Sequence, residues 1–169
     1  MTATDHLTSA VITADPEVPA VLTTRDFHAP LAQVQRAHTD PELFARWIGP
    51  HELSTRIDRW DAHTGGAWAY TSIRSAGAEE ETYSFHGSFH DVLPDRIVQT
   101  FTYDDWPEAV TLETLTLTDL GDGWTRLHGR ALYDSFESRG QMLASDMETG
   151  VQQGYEALDE LLAGLDEQG

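Results

Sequence analysis

The spacing of apolar and polar positions changes twice along this chain. A strand-like run occupies 20–27, and Pro30 then suits the first turn of a helix over 30–38, where its missing N–H has no intrahelical partner to lose. Thr39-Asp40-Pro41-Glu42 opens a second short helix. Thr39 and Glu42 have the spacing of a capping box, and Asp40 alone can cap Pro41. This helix carries Leu43, Phe44 and Trp47 and stops at Gly49-Pro50. The period then becomes two. It predicts six strands at about 52–61, 67–75, 81–92, 96–104, 110–119 and 124–134, separated by Gly65-Gly66, Gly77, Pro94-Asp95, Pro107 and Gly121-Asp122-Gly123. Their short connections imply an antiparallel meander. After Tyr133 the period returns to three or four. Leu143, Met147, Val151, Tyr155, Leu158, Leu161 and Leu165 mark one amphipathic helix over 136–165. Gly150 and Gly154 lie on its apolar stripe, at a cost of up to about 1 kcal/mol each. Close approach of the helix backbone to a sheet would explain them.

The elements add up to an α+β domain: a seven-stranded antiparallel sheet with one apolar face, two short helices after the first strand, and a long terminal helix as the only element large enough to cover that face. The domain is expected over 20–165, with 1–19 as an N-terminal extension (room for a short strand at 11–13) and 166–169 as a tail. A sheet curved around a helix leaves space between them for a small molecule.

Alternation places Trp68 and Tyr70 on the helix-facing side, with Tyr83 and Phe85, Phe101 and Tyr103, Glu113 and Leu115, and Tyr133. Met147 and Val151 supply the helix side of the expected cavity. These eleven positions are the candidate ligand-binding residues. Core packing is the readier explanation for any single tyrosine, but an aromatic cavity with a few polar tips accounts better for the group. Glu113 is the one catalytic candidate, because a carboxyl on an apolar face has a raised pKa and can transfer protons. The competing reading, which the rarity of unpaired buried glutamates favours, puts Glu113 near a strand end in contact with water.

Composition removes whole classes of chemistry. Among 169 residues there are ten arginines but no lysine, cysteine or asparagine. Lysine Schiff bases, thiol nucleophiles, disulfides and cysteine-ligated metals are therefore excluded. The net charge of −19, with arginines scattered singly, argues against nucleic acid and anionic membranes as partners. The N-terminus has no signal-peptide pattern and no apolar run approaches a membrane span, so a cytoplasmic protein is expected, monomeric or homodimeric. No cofactor motif occurs, and no metal site is expected. His86 and His90 share a strand face but stand ~13 Å apart, too far to ligate one ion. Each histidine reads as a surface group.

Five separated motifs resemble the START-like, helix-grip superfamily. They are RDFHAPLAQVQRAHTDPELFARWIGP (25–50), GGAWAY (65–70), YSFHGSFHDVLPDRIVQTF (83–101), DGWTRLHGRALYDSFESRGQML (122–143) and Met147-Glu148-Thr149-Gly150. Together they span about 24–164 and are most similar to the branch named after the activator of the ninety-kilodalton heat-shock chaperone's ATPase. Ile48 stands where a second tryptophan is common, and His63-Thr64 stand where Arg-x is common, so no ligand contact carries over there. The resemblance implies a helix-grip fold binding a small apolar or aromatic molecule. One alternative is a polyketide cyclase or dehydratase-like enzyme using the same cavity. A second is a regulator of a chaperone ATPase, which ranks last because in the namesake that activity belongs to longer, two-domain proteins.

Overall fold

A computed structural model describes residues 5–167. Residues 1–4 of the expected extension and 168–169 of the tail lie outside the described residues. The elements are β1 (Val11–Ala14), β2 (Ala20–Phe27), α1 (Leu31–Thr39), α2 (Pro41–Trp47), β3 (Ser54–Trp60), β4 (Ala67–Ala76), β5 (Glu79–Leu93), β6 (Arg96–Tyr103), β7 (Thr111–Gly121), β8 (Trp124–Leu132), α3 (Phe136–Ala144) and α4 (Met147–Glu167). They form a curved, open antiparallel sheet in the order β1-β2-β8-β7-β6-β5-β4-β3, gripped by the C-terminal helix.

The sheet has eight strands rather than seven. The β-branched run at Val11–Ala14 pairs with β2 in antiparallel register and covers that edge. Asp15 shapes the turn between them, its Oδ1 accepting the N–H groups of Glu17 at 2.8 Å and Val18 at 3.2 Å. The expected single terminal helix is two helices. Asp146 adopts φ 63, a left-handed conformation that no helix interior accepts, and Ser145 caps the end of α3. Apolar residues at three- and four-residue spacing continue on both sides of the break, so the sequence pattern does not reveal it. None of α3's residues is buried, whereas α4 buries Leu158, Leu161 and Leu162.

α2 starts where the sequence indicates. Asp40 is its N-cap, accepting from the N–H groups of Glu42 at 3.0 Å and Leu43 at 3.3 Å, with Pro41 in the first turn. Two indole N–H groups tie this region to its neighbours: Trp47 donates to the Ala37 carbonyl at 2.8 Å and Trp60 to the Thr39 carbonyl at 2.6 Å. The dry core lies at this end of the sheet, where Phe27, Val34, Leu127, Leu158 and Leu162 are fully buried. At its rim the buried Asp26 accepts two hydrogen bonds from Arg126, and Arg25 donates to Asp159 of α4.

Candidate functional site

Two turns toward the N-terminus of α4, the helix and sheet no longer touch, and a cavity of about 360 Å³ opens between them. That volume falls within the ~300–1,000 Å³ usual for small-molecule sites. The floor is β4, β6, β7 and β8, the roof is the first two turns of α4, and α2 closes one end. Eight sequence candidates line it: Trp68, Tyr70, Phe101, Glu113, Leu115 and Tyr133 from the sheet side, Met147 and Val151 from the helix.

Three candidates lie elsewhere. Phe85 faces the same way, but its ring packs behind Tyr70 and Phe101, 5.2 Å from each. Tyr83 is further out on the long β4–β5 hairpin, with its hydroxyl donating to Glu81 at 3.1 Å. Tyr103 donates to Asp105 at 3.0 Å and lines a neighbouring hollow of about 30 Å³, beside Trp106 and Met142. Strand parity fixes a side chain's face, not its distance along the strand, and these strands extend beyond the cavity.

Other cavity residues were missed. Phe44, Trp47 and Ile48 contribute from α2 and its end, where the sequence shows only an apolar helical face. Trp60 lies three residues beyond Ile57, yet both pack against the same cluster, because a β-bulge between Ile57 and Arg59 resets the alternation. His38, read as a surface group, lines the cavity instead. Its Nδ1 lies 2.7 Å from the Val34 carbonyl, which fixes the proton there and leaves Nε2 as an acceptor. Burial lowers its pKa to about 4, only partly opposed by that hydrogen bond, so the ring is neutral at pH 7.

Glu113 is the polar centre. It sits opposite Gln99 in the β6–β7 register, and the Gln99 amide donates to its Oε1 at 3.0 Å. Glu113 does lie near a strand end, as the third residue of β7, but it is half-buried and faces the cavity, where the surrounding protein desolvates it. Desolvation raises its pKa, and the Gln99 hydrogen bond offsets only part of that rise. Tyr70, Tyr133 and Tyr155 surround it from β4, from just beyond β8 and from α4. Burial first, and the charge of Glu113 second, hold all three phenols protonated well above their ordinary value.

The two glycines of α4 have different reasons. A Cβ at Gly154 would meet the Trp47 carbonyl at 3.2 Å, so the close approach is to the end of α2 rather than to the sheet. At Gly150 a Cβ would meet only Pro50 Cδ, at an ordinary 3.7 Å. Among the described residues no group of three or more His, Asp or Glu converges as a metal site. No described helix is long and apolar enough to cross a membrane.

Comparison with known proteins bears on the whole arrangement. The profile of the family described as Activator of Hsp90 ATPase homolog 1-like protein matches residues 28–163. A solved protein from Rhodobacter sphaeroides superposes with a TM-score of 0.81 at 26% identity, covering 92% of this chain and 99% of its own. One from Mycobacterium smegmatis gives 0.79 at 22%, covering 91% and 96%. The AHSA1 protein of Silicibacter pomeroyi gives 0.68 at 19%, covering 85% and 97%. No curated protein matches the chain.

Proposed function

We propose, for a chain that belongs to the family of Activator of Hsp90 ATPase homolog 1-like proteins, that it is a binding protein for a small apolar or aromatic molecule held between sheet and helix. The observation that carries this reading is the cavity of about 360 Å³ with eight aromatic side chains in its wall and a single carboxyl–amide pair at its centre. Apolar burial would supply the affinity, at roughly 25 cal/mol per Å² before the costs of association. The polar tips would set orientation. Native mass spectrometry of freshly purified protein tests it. A bound mass that heat or solvent releases, and that a neutral fluorescent dye displaces one for one, is the expected result. Protein that carries nothing and takes up no dye at micromolar concentration would contradict it.

Glu113 favours a second reading, a cyclase or dehydratase-like enzyme in the same cavity. A desolvated carboxyl with a raised pKa, close to three protonated phenols, has the makings of a general acid–base pair. Turnover of a bound polyketone that Glu113→Gln abolishes while binding persists would distinguish catalysis from carriage. Regulation of a chaperone ATPase remains the third reading. It predicts co-purification with the chaperone, which neither of the others requires.

A further inference from the structure

The cavity wall holds more hydrogen-bond donors than the protein itself uses. The hydroxyls of Tyr83 and Tyr103, outside the cavity, are spent on Glu81 and Asp105. Those of Tyr70, Tyr133 and Tyr155, inside it, make no hydrogen bond to any described residue, although each ring lines the cavity. The three hydroxyls are not sealed in the protein interior, so acceptor atoms of a ligand can reach them. Arriving from β4, from the residue after β8 and from α4 around one carboxyl, they leave a place for acceptor atoms brought by a ligand. Glu113 keeps one oxygen beyond its single bond to Gln99.

The site also lacks a counter-charge for an anion. Of the nearby cations, Arg25 is held by Asp159. Arg130 touches the cavity from the strand parity of the outer face, and its charge acts on Asp15 at the surface. A ligand carboxylate would therefore meet the Glu113 carboxyl with no cation between them, in a desolvated space where like charges repel strongly. A ketone or quinone oxygen meets donors without that cost.

We propose that the cavity selects neutral carbonyl-bearing molecules with a planar apolar body, and rejects carboxylates of the same shape, through the hydroxyls of Tyr70, Tyr133 and Tyr155 beside Glu113. This rests on the ligand-binding reading above and adds the chemical class of the ligand.

Three matched probes separate the two claims: 2-ethylnaphthalene, 2-acetylnaphthalene and 2-naphthoate, each titrated at pH 7.5 against a neutral dye bound to the full chain. The ketone should bind about 2- to 10-fold more tightly than the hydrocarbon, the ratio expected for one added neutral hydrogen bond. The naphthoate should bind at least about 10-fold more weakly than the ketone. Tyr133→Phe and Tyr155→Phe should each shrink the ketone's advantage and leave ethylnaphthalene unchanged, so the hydrocarbon also reports whether each variant is folded. Glu113→Gln should narrow the gap between naphthoate and ketone. Equal binding of ketone and hydrocarbon, or naphthoate binding best, would overturn the selectivity while leaving a ligand-binding cavity in place. Failure of all three probes to bind would remove both claims together.

Discussion

The two halves of α4 face one continuous sheet with different side chains. At its C-terminal end Leu158, Leu161 and Leu162 reach Phe27, Val34 and Leu127, and the contact is dry. At its N-terminal end Met147, Gly150, Val151 and Gly154 reach across to Tyr70, Glu113 and Tyr133, and a cavity separates them. Branched aliphatic side chains interdigitate with the sheet, whereas Gly150, Gly154 and the short Val151 leave the same gap open between Met147 and Tyr155. Stability and ligand space are therefore assigned to different turns of a single helix.

The largest expected effect lies in the dry half. Leu158→Ala should cost about 2–5 kcal/mol in urea melts, the range for emptying a fully buried leucine site. His86→Ala, on the opposite face of the sheet in an exposed pair with Asp104, should change stability by no more than about 0.5 kcal/mol. Equal costs would erase the distinction between the two faces.

Acid should act on both halves. His38 has a folded-state pKa of about 4 against 6.5 for the free ring, so between those values the unfolded chain binds the extra proton. Stability is whole above pH 6.5 and falls as pH drops toward 4, by about 3 kcal/mol in all. Asp26 adds to the loss. Burial pushes its pKa up, but the bonds from Arg126 and the Leu7 N–H and the charges of Arg126 and His6 bring it below the ordinary value. Its contribution, present above the unfolded pKa, is lost as pH falls through the folded one. Glu113 runs the other way. Its raised pKa removes stability as pH rises above the unfolded value, so Glu113→Gln should raise Tm at pH 8 more than at pH 4.5. Thermal melts of wild type, His38→Gln and Glu113→Gln across pH 4–8 separate these slopes. A wild-type Tm flat below pH 6.5 would contradict the account of His38.

The glycines give a smaller and more local contrast. Gly150→Ala has room for its methyl group and should stabilise α4 by up to about 1 kcal/mol through helix propensity. Gly154→Ala should gain less, or lose, because the Trp47 carbonyl stands 3.2 Å from the new Cβ. An equal gain at both positions would show that α2 yields freely to α4.

What the sequence conveyed follows from the physics of each element. Period-two alternation identified the cavity face of β4, β6 and β7, since Trp68, Tyr70, Phe101 and Leu115 keep strict parity there. It could not tell Tyr70 from Tyr83, because both share a parity and only the length of the β4–β5 hairpin separates them. It missed Trp60 because one bulged residue reverses parity, and a bulge leaves no apolar signature. His38 was misread because a histidine on a short helix looks the same whether its ring points out or in. The break at Asp146 was hidden by an apolar stripe that continues on both sides of it. Glu113 was judged by how rarely glutamate is buried, and its partner Gln99, in register on the next strand, was the signal to weigh against that rarity.

The division of α4 into a packing half and a cavity half is tested most directly by filling the cavity from the helix. Val151→Phe adds a ring to the cavity roof, seven residues along α4 from Leu158. Titration with a neutral naphthalene dye should show one site in wild type, lost or weakened at least about 10-fold in Val151→Phe and retained in His86→Ala. Unchanged dye affinity in Val151→Phe would contradict the account, and would move the binding surface to exposed apolar groups such as Trp106 and Phe136.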